Sequence, residues 1–366
     1  MLTKKVAETD ASAAGFVHLG ATSQDIIDTG LVLQLRQAVP AILDRLDRAI
    51  EAATRHARNH ARTPMAGRTW MQQAVPVTFG LKAAGWLDAL RRVRARLAAD
   101  LGAASVLQFG GAAGTLASLG GKLGLELADA LARRLGLVVP ALPWHAQRDR
   151  LAALATSLGL AAGTLGKIGF DLALLGQTEI GEAHEAPAAG RGGSSTMPHK
   201  RNPVSASVAL AASKRAPGLV ATLLGAMSQE HERGLGGWQA EWETLPELLR
   251  VVGGAARAMA EALSSLVVDA ERMRVNLQAT GGLILAEAVS ATLASRMGKA
   301  RAHELVEAVC RRAIEQHRPL SDVLKEEAEI ARRLSPDEIK VLLMPESYLG
   351  AAEAFVERVL AEYERS

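Results

Sequence analysis

From Ser23 to about Ala61, apolar side chains recur every three or four positions, at Ile26, Ile27, Leu31, Leu33, Leu35, Val39, Ile42, Leu46 and Ile50. That spacing predicts one long amphipathic helix with a kink at Pro40. The same periodicity predicts helices over about 77–99, 115–135, 147–182, 203–232 and 245–266. Shorter helical patterns fill the C-terminal part, broken at Thr280-Gly-Gly282 and at Ser335-Pro336. The strand-like run is Leu137-Val-Val-Pro140, and its proline weakens it. Helices this long must bury their apolar stripes against one another. The predicted fold is therefore all-α, with a central bundle of long helices over 23–270 and a small helical C-terminal domain over 271–366. Stripes left over on such a bundle are commonly buried against other copies, so a homo-oligomer is expected.

Composition agrees with close-packed helices. Of the 366 residues 49% are hydrophobic but only 3% aromatic, so the apolar mass is Ala, Leu and Val. Lys and Arg number 42 against 39 Asp and Glu, a formal charge of +3, and the basic residues are interspersed with acids along helices, which argues against a nucleic-acid partner. The basic run from Arg91 to Arg96 has helical spacing and reads as a solvated face. A single cysteine, Cys310, excludes a disulfide framework and a cysteine metal cluster, and points to a reducing, cytoplasmic setting. The uncharged stretch Leu151–Gly166 is short for a membrane span and is followed by Lys167 and Asp171, so no membrane partner is expected.

Three stretches carry chemistry. Residues 192–203, GGSSTMPHKRNP, place Ser194 and Ser195 after glycines and the cations Lys200 and Arg201 before an Asn-Pro step. Glycines permit a loop to move over a substrate. Asn202 and Pro203 read as N-cap and N1 of the next helix, whose N-terminus is partially positive. Such a loop suits an anion; a flexible connector with an ordinary cap is the plain alternative. Thr22-Ser-Gln-Asp25 has capping-box spacing, and hydroxyls and free amides at a helix start can also receive a carboxylate. His56 and His60 sit four apart on one helix face without an acidic partner, so a metal is not expected. Gly110-Gly-Ala-Ala-Gly114 lacks a strand–turn–helix context and reads as a tight turn, not a dinucleotide fingerprint.

Taken together, Gly193-Ser-Ser-Thr-Met-Pro-His-Lys-Arg-Asn-Pro203, His18-Leu-Gly-Ala-Thr-Ser-Gln-Asp25 and Thr63-Pro-Met-Ala-Gly-Arg-Thr69 resemble, in order and spacing, the signature blocks of the fumarase/aspartase superfamily. The stretches 67–80, 107–119, 143–150 and 236–248 are most similar to its lactone-forming members, which act on a carboxymuconate in aromatic-ring breakdown. The resemblance runs from Phe16 to the C-terminus. Members carry a small N-terminal domain before the block at His18, of which residues 1–22 would be the remnant. The adenylosuccinate lyases of the superfamily carry a general-acid histidine where this chain has Trp70.

The resemblance implies an addition or elimination beta to a carboxylate through a carbanion held as an aci-carboxylate, with no cofactor and no metal. In the lactone-forming reaction the substrate's own carboxylate is the nucleophile, so the protein supplies a proton and a cationic cradle. By resemblance Ser194 gives the proton and takes it back in reverse, with Ser195 as the second candidate. A serine hydroxyl is a far weaker acid than any side chain that titrates near neutrality, so ionising it at neutral pH costs roughly 8 kcal/mol, which Lys200 and the helix start after Asn202 are expected to offset. Thr22, Ser23, Gln24, Arg68, Asn202, Arg148 and Arg233 are the expected carboxylate partners in a tricarboxylate substrate site, and Trp70 is expected to shape the pocket. The site is expected to be shared between subunits of a homotetramer. An adenylosuccinate or argininosuccinate-type lyase and a catalytically silent scaffold are the alternatives.

Overall fold

A computed structural model describes every residue except Pro187, Ala188, Ala189, Arg191, Ser195 and Ser366. It is all-α in class, as the periodicity predicts. The elements in order are α1 (Leu2–Thr9), α2 (Ser23–Asn59), β1 (Pro64–Thr69), β2 (Gln72–Thr78), α3 (Phe79–Ala104), α4 (Gly121–Leu135), α5 (Asp149–Leu175), β3 (Ala183–Glu185), α6 (Val204–Gly225), α7 (Gly237–Ser264), β4 (Leu266–Val268), α8 (Ala270–Gln278), α9 (Ala286–Met297), α10 (Lys299–Glu315), α11 (Leu320–Glu326), α12 (Ala328–Ala331), α13 (Pro336–Leu342) and α14 (Ala352–Glu364). They form two compact units, each drawn from three stretches of chain, so neither coincides with 23–270 or 271–366.

The first unit comprises Met1–Asp47, Leu90–Lys167 and Ser207–Met259. Its core takes in Leu35, Val39 and Leu46 of the predicted α2 stripe, together with Leu154, Leu158 and Leu165 of α5 and Leu245, Leu248 and Val252 of α7, all buried. Glycine lets α5 and α6 approach closely, since a Cβ on Gly166 would lie 2.3 Å from the Ser213 Cβ. Helix α7 begins at Gly237 and runs through Pro246, well before the expected start at 245. Pro246 lies in the interior of the helix, whose turns continue on both sides of it.

The second unit comprises Arg48–Ala89, Ile168–Ala206 and Ala260–Ser366. Its C-terminal helices bury Val289, Leu293, Val306, Val309, Leu320, Val323 and Leu324 in one cluster. The break read at Ser335-Pro336 is a helix start, with Ser335 and Glu338 forming a reciprocal capping box. His56 and His60 stack with ring centroids 6.2 Å apart. Their ring nitrogens bond to the Leu263 carbonyl and the Thr63 hydroxyl, and Phe79 stands edge-on to both.

The strand expectation needs correction. Leu137–Pro140 contributes a single bridge, Val106 to Val138, while the strands pair as β1–β2 and β3–β4, both antiparallel. Pro64 and Pro76 hid the first pair in the sequence. In a two-stranded sheet every strand is an edge, so a missing N–H is tolerated. The length expectation for Leu151–Gly166 is corrected as well. Helix α5 extends beyond it at both ends to 27 residues and, like α2, is long and apolar enough by composition to cross a membrane; half of its most apolar window is buried within the protein itself.

Candidate active site

In the first unit the start of α2 is fixed by two buried carboxylates. Asp25, 1% exposed, accepts hydrogen bonds from the backbone N–H groups of Thr22, Gly110 and Gly111, from Gln108 Nε2, and from His145 Nε2 at 2.7 Å. Burial alone raises its pKa, but these donors outweigh burial and hold the carboxyl below its ordinary range. The turn at Gly110–Gly114 is thus explained: its amides serve Asp25. Of the expected capping box, the arm from Asp25 to the Thr22 N–H is present.

The Thr22 hydroxyl instead accepts from Arg233 Nη1 at 2.8 Å, and Arg233 Nε donates to Gln24 Oε1 at 3.3 Å. Gln24 is oriented for this by its own amide group, which donates to the His145 carbonyl at 2.9 Å and to Asp28 at 3.2 Å. Three predicted site residues therefore meet, although Arg233 lies more than two hundred positions from Thr22 and Gln24 in the chain. Ser23 is exposed at the first position of α2.

Arg148 does not join them. It is 2% exposed, donating to both Asp28 oxygens at 2.7 and 3.0 Å and to both Glu241 oxygens at 2.9 and 2.5 Å. Trp238 Nε1 adds a bond to Asp28 at 3.0 Å. Burial opposes the charge on Arg148, yet the two carboxylates outweigh it and raise its pKa; burial raises that of Glu241 against the pull of Arg148. The expectation that Arg148 binds substrate is corrected: its fork is committed to α2 and α7.

In the second unit Arg68 is likewise committed, forming a bidentate pair with the buried Glu182 at 2.7 and 2.8 Å, which also accepts from Asn276 Nδ2 at 2.8 Å. A protein carboxylate thus holds the guanidinium that the resemblance assigned to substrate. Trp70 occupies the tip of the β1–β2 hairpin. Trp70 and Met71 have φ of +52° and +65°, a two-residue turn of the I′ kind that ordinarily demands Asn or Gly, and Trp70 is 97% exposed.

The glycine-serine loop is pinched at its base. Asn202 N–H donates to the Gly192 carbonyl at 2.8 Å, and Gly193 bridges to Arg201. Gly192 has φ of +74°, and a Cβ there would stand 2.9 Å from the Asn202 carbonyl oxygen. Ser194 Oγ accepts from the Met197 N–H at 3.0 Å and the Thr196 N–H at 3.4 Å. These donors were invisible in the sequence, since any residue type supplies an amide. Ser195 lies outside the described residues. Lys200, Asn202, Gly193, Glu185 and Ser205 line a cavity of about 210 Å³, and Lys200, Arg201, Asn202, His184 and His199 border a wider groove of about 900 Å³.

One expectation at the loop is overturned. Helix α6 begins at Val204, so Pro203 rather than Asn202 precedes it. Its Ser205 and Ala206 amides donate to the carboxylate of Glu185, at 3.1 and 2.9 Å. The partial positive charge of the helix start is matched by a protein anion, and Lys200 with the Thr196 and Met197 amides remains to favour negative charge at the loop.

Known proteins match this chain. A family model described as "Lyase" matches residues 1–218, and one described as "Adenylosuccinate lyase C-terminus" matches 282–359. The chain is 58% identical over 362 residues to a 3-carboxy-cis,cis-muconate cycloisomerase of Pseudomonas aeruginosa, covering 99% of this chain and 79% of that one. It is 45% identical to a nitrosuccinate lyase of Streptomyces davaonensis, covering 100% and 78%. The crystal structure of the 3-carboxy-cis,cis-muconate lactonizing enzyme from Pseudomonas putida superposes with a TM-score of 0.93 at 50% identity, covering 100% of this chain and 81% of that one. The chain belongs to this lyase family of the fumarase/aspartase superfamily, alongside the 3-carboxy-cis,cis-muconate cycloisomerases.

Proposed function

We propose that the chain is a soluble, cytoplasmic 3-carboxy-cis,cis-muconate cycloisomerase that closes a lactone ring by adding one substrate carboxylate across a substrate double bond. The observation that carries this reading is the identity to cycloisomerases across nearly the whole chain, joined to a loop that holds a serine hydroxyl against two amides and carries a lysine that lines a cavity. As the ring oxygen bonds to one alkene carbon, charge develops at the neighbouring carbon and spreads into its carboxylate. Ser194 delivers the proton to that carbon, and the Thr196 and Met197 amides favour the alkoxide it leaves. Lys200 and Asn202 hold the carboxylate in which the charge accumulates, with Ser195 as the second candidate for the proton.

Arg233, set by Gln24 and Thr22, offers its remaining donors to a further carboxylate, with the exposed Ser23 beside it. Trp70, exposed at the tip of its hairpin, shapes the pocket once the copies assemble. These groups are carried on separate stretches of chain, and the site is completed between copies in a homotetramer. The test is direct: purified protein is mixed with 3-carboxy-cis,cis-muconate and diene absorbance is followed. Loss of absorbance with lactone formation supports the reading. Release of fumarate from nitrosuccinate, with the muconate untouched, replaces it by the elimination of the 45% identical relative.

A further inference from the structure

The carboxylate of Glu185 lies at the loop, and neither the resemblance nor the proposed chemistry uses it. Its position is built from both sides. Glu182, buried and held by Arg68 and Asn276, fixes the start of β3, and β3 pairs with β4 so that Glu185 lies opposite Leu266. From there its two oxygens accept the Ser205 and Ala206 amides of α6, while the side chain lines the same cavity as Lys200 and Asn202.

A 22-residue helix start with two converging amides would otherwise attract an anion. A substrate carrying several carboxylates has one to misplace there. We infer that Glu185 is a positioning residue: it fills the amides of α6, so that a substrate carboxylate settles on Lys200 and Asn202, which line the same cavity, instead of on the helix. The inference rests on the cycloisomerase reading of the loop. Without Glu185, substrate binds in a second, unproductive register. Unproductive binding lowers kcat and KM together, whereas a cap that matters only for stability lowers the unfolding midpoint and leaves KM unchanged or raised.

The experiment uses Glu185→Ala in the full chain, with sodium formate titrated against sodium chloride at equal ionic strength. Unfolding midpoint, kcat and KM for 3-carboxy-cis,cis-muconate are recorded. We expect kcat to fall about tenfold and KM to fall with it, the size of one lost charge-assisted pair of bonds. Formate, a carboxylate small enough to take the vacated place, raises the variant's midpoint saturably and returns kcat and KM toward wild-type values, with no such effect on the wild type. A variant whose KM rises, or that formate does not restore, overturns the inference. Glu185→Gln keeps the shape without the charge and covers the case of a poorly folding alanine variant: kcat and KM fall together about threefold, and wild-type constants contradict the inference. If wild-type protein leaves the muconate unchanged, the reading of the reaction fails, and the formate-dependent midpoint decides alone whether α6 takes an anion once Glu185 is removed.

Discussion

Replacing Arg148 by leucine tests whether this arginine holds the protein or the substrate. The side chain is 1% exposed, and its partners Asp28 and Glu241 are 0% and 4% exposed. Truncation leaves two carboxylates facing one another in a buried place. Removing one partner of a buried ion pair costs about 3–5 kcal/mol, and a chain of 366 residues, at about 2.1 cal/mol/K of unfolding entropy per residue, loses roughly 1.3 °C of unfolding midpoint per kcal/mol, so a fall of about 4–7 °C follows. The lower half of that range is expected, because burial already raises the pKa of Glu241 and the variant can take up a proton there. Its deficit should accordingly shrink as pH is lowered from 8 toward 5. A triple variant, Arg148→Met with Asp28→Asn and Glu241→Gln, removes the stranded charges and should recover most of the loss. Thermal and urea unfolding supply the midpoints, and steady-state kinetics on the assembled fraction supply KM, expected to stay within about twofold of wild type. A KM raised more than about tenfold with an unchanged midpoint would mean that Arg148 reaches substrate, and the burial argument would be refuted.

Gly192→Ala places a Cβ 2.9 Å from the Asn202 carbonyl oxygen at a φ of +74°; it should cost about 1–2 kcal/mol of loop closure and lower kcat, with the global midpoint nearly unchanged. Stability should fall on acidification in two windows. Burial depresses the pKa of His56 and His60, so the unfolded chain binds protons first, and their contribution is complete above pH ~6.5 and declines below it. Asp25, held below the ordinary range by His145, Gln108 and backbone donors, adds stability that is present above pH ~3.9 and lost below; urea midpoints from pH 8 to 3 check both. Trp70→Asn with Met71→Gly suits the positive-φ turn and should raise the midpoint by a few degrees while lowering turnover, as paired melting and rate assays would reveal.

The helices were legible because periodicity is a local property: Leu35, Val39 and Leu46 mark the buried face of α2 whatever surrounds them. Boundaries were less so. Pro246 and Pro217 lie inside α7 and α6, and a proline in the sequence does not reveal whether neighbouring turns carry the helix past it. The β1–β2 hairpin escaped because Pro64, Gly67 and Pro76 erase the alternation that a longer sheet would require.

At the site, residue types with chemistry were visible and their partners were not. Arg68, Arg148 and Arg233 look alike in sequence. Only the fold separates the first two, already held by Glu182, Asp28 and Glu241, from Arg233, which meets the neutral Thr22 and Gln24. Glu185 carried no signal, since nothing in Ala183-His-Glu185 indicates that it ends at the amides of a helix nineteen residues further on.

The central claim is that Ser194, on the same loop as Lys200, delivers the proton that completes lactone formation. Ser194→Ala, confirmed to assemble as the wild type does, should be assayed with 3-carboxy-cis,cis-muconate at saturating concentration. The account predicts a kcat lower by about 10²–10⁴ with KM little changed. A Ser194→Ala protein that cyclises the substrate at the wild-type rate would contradict it.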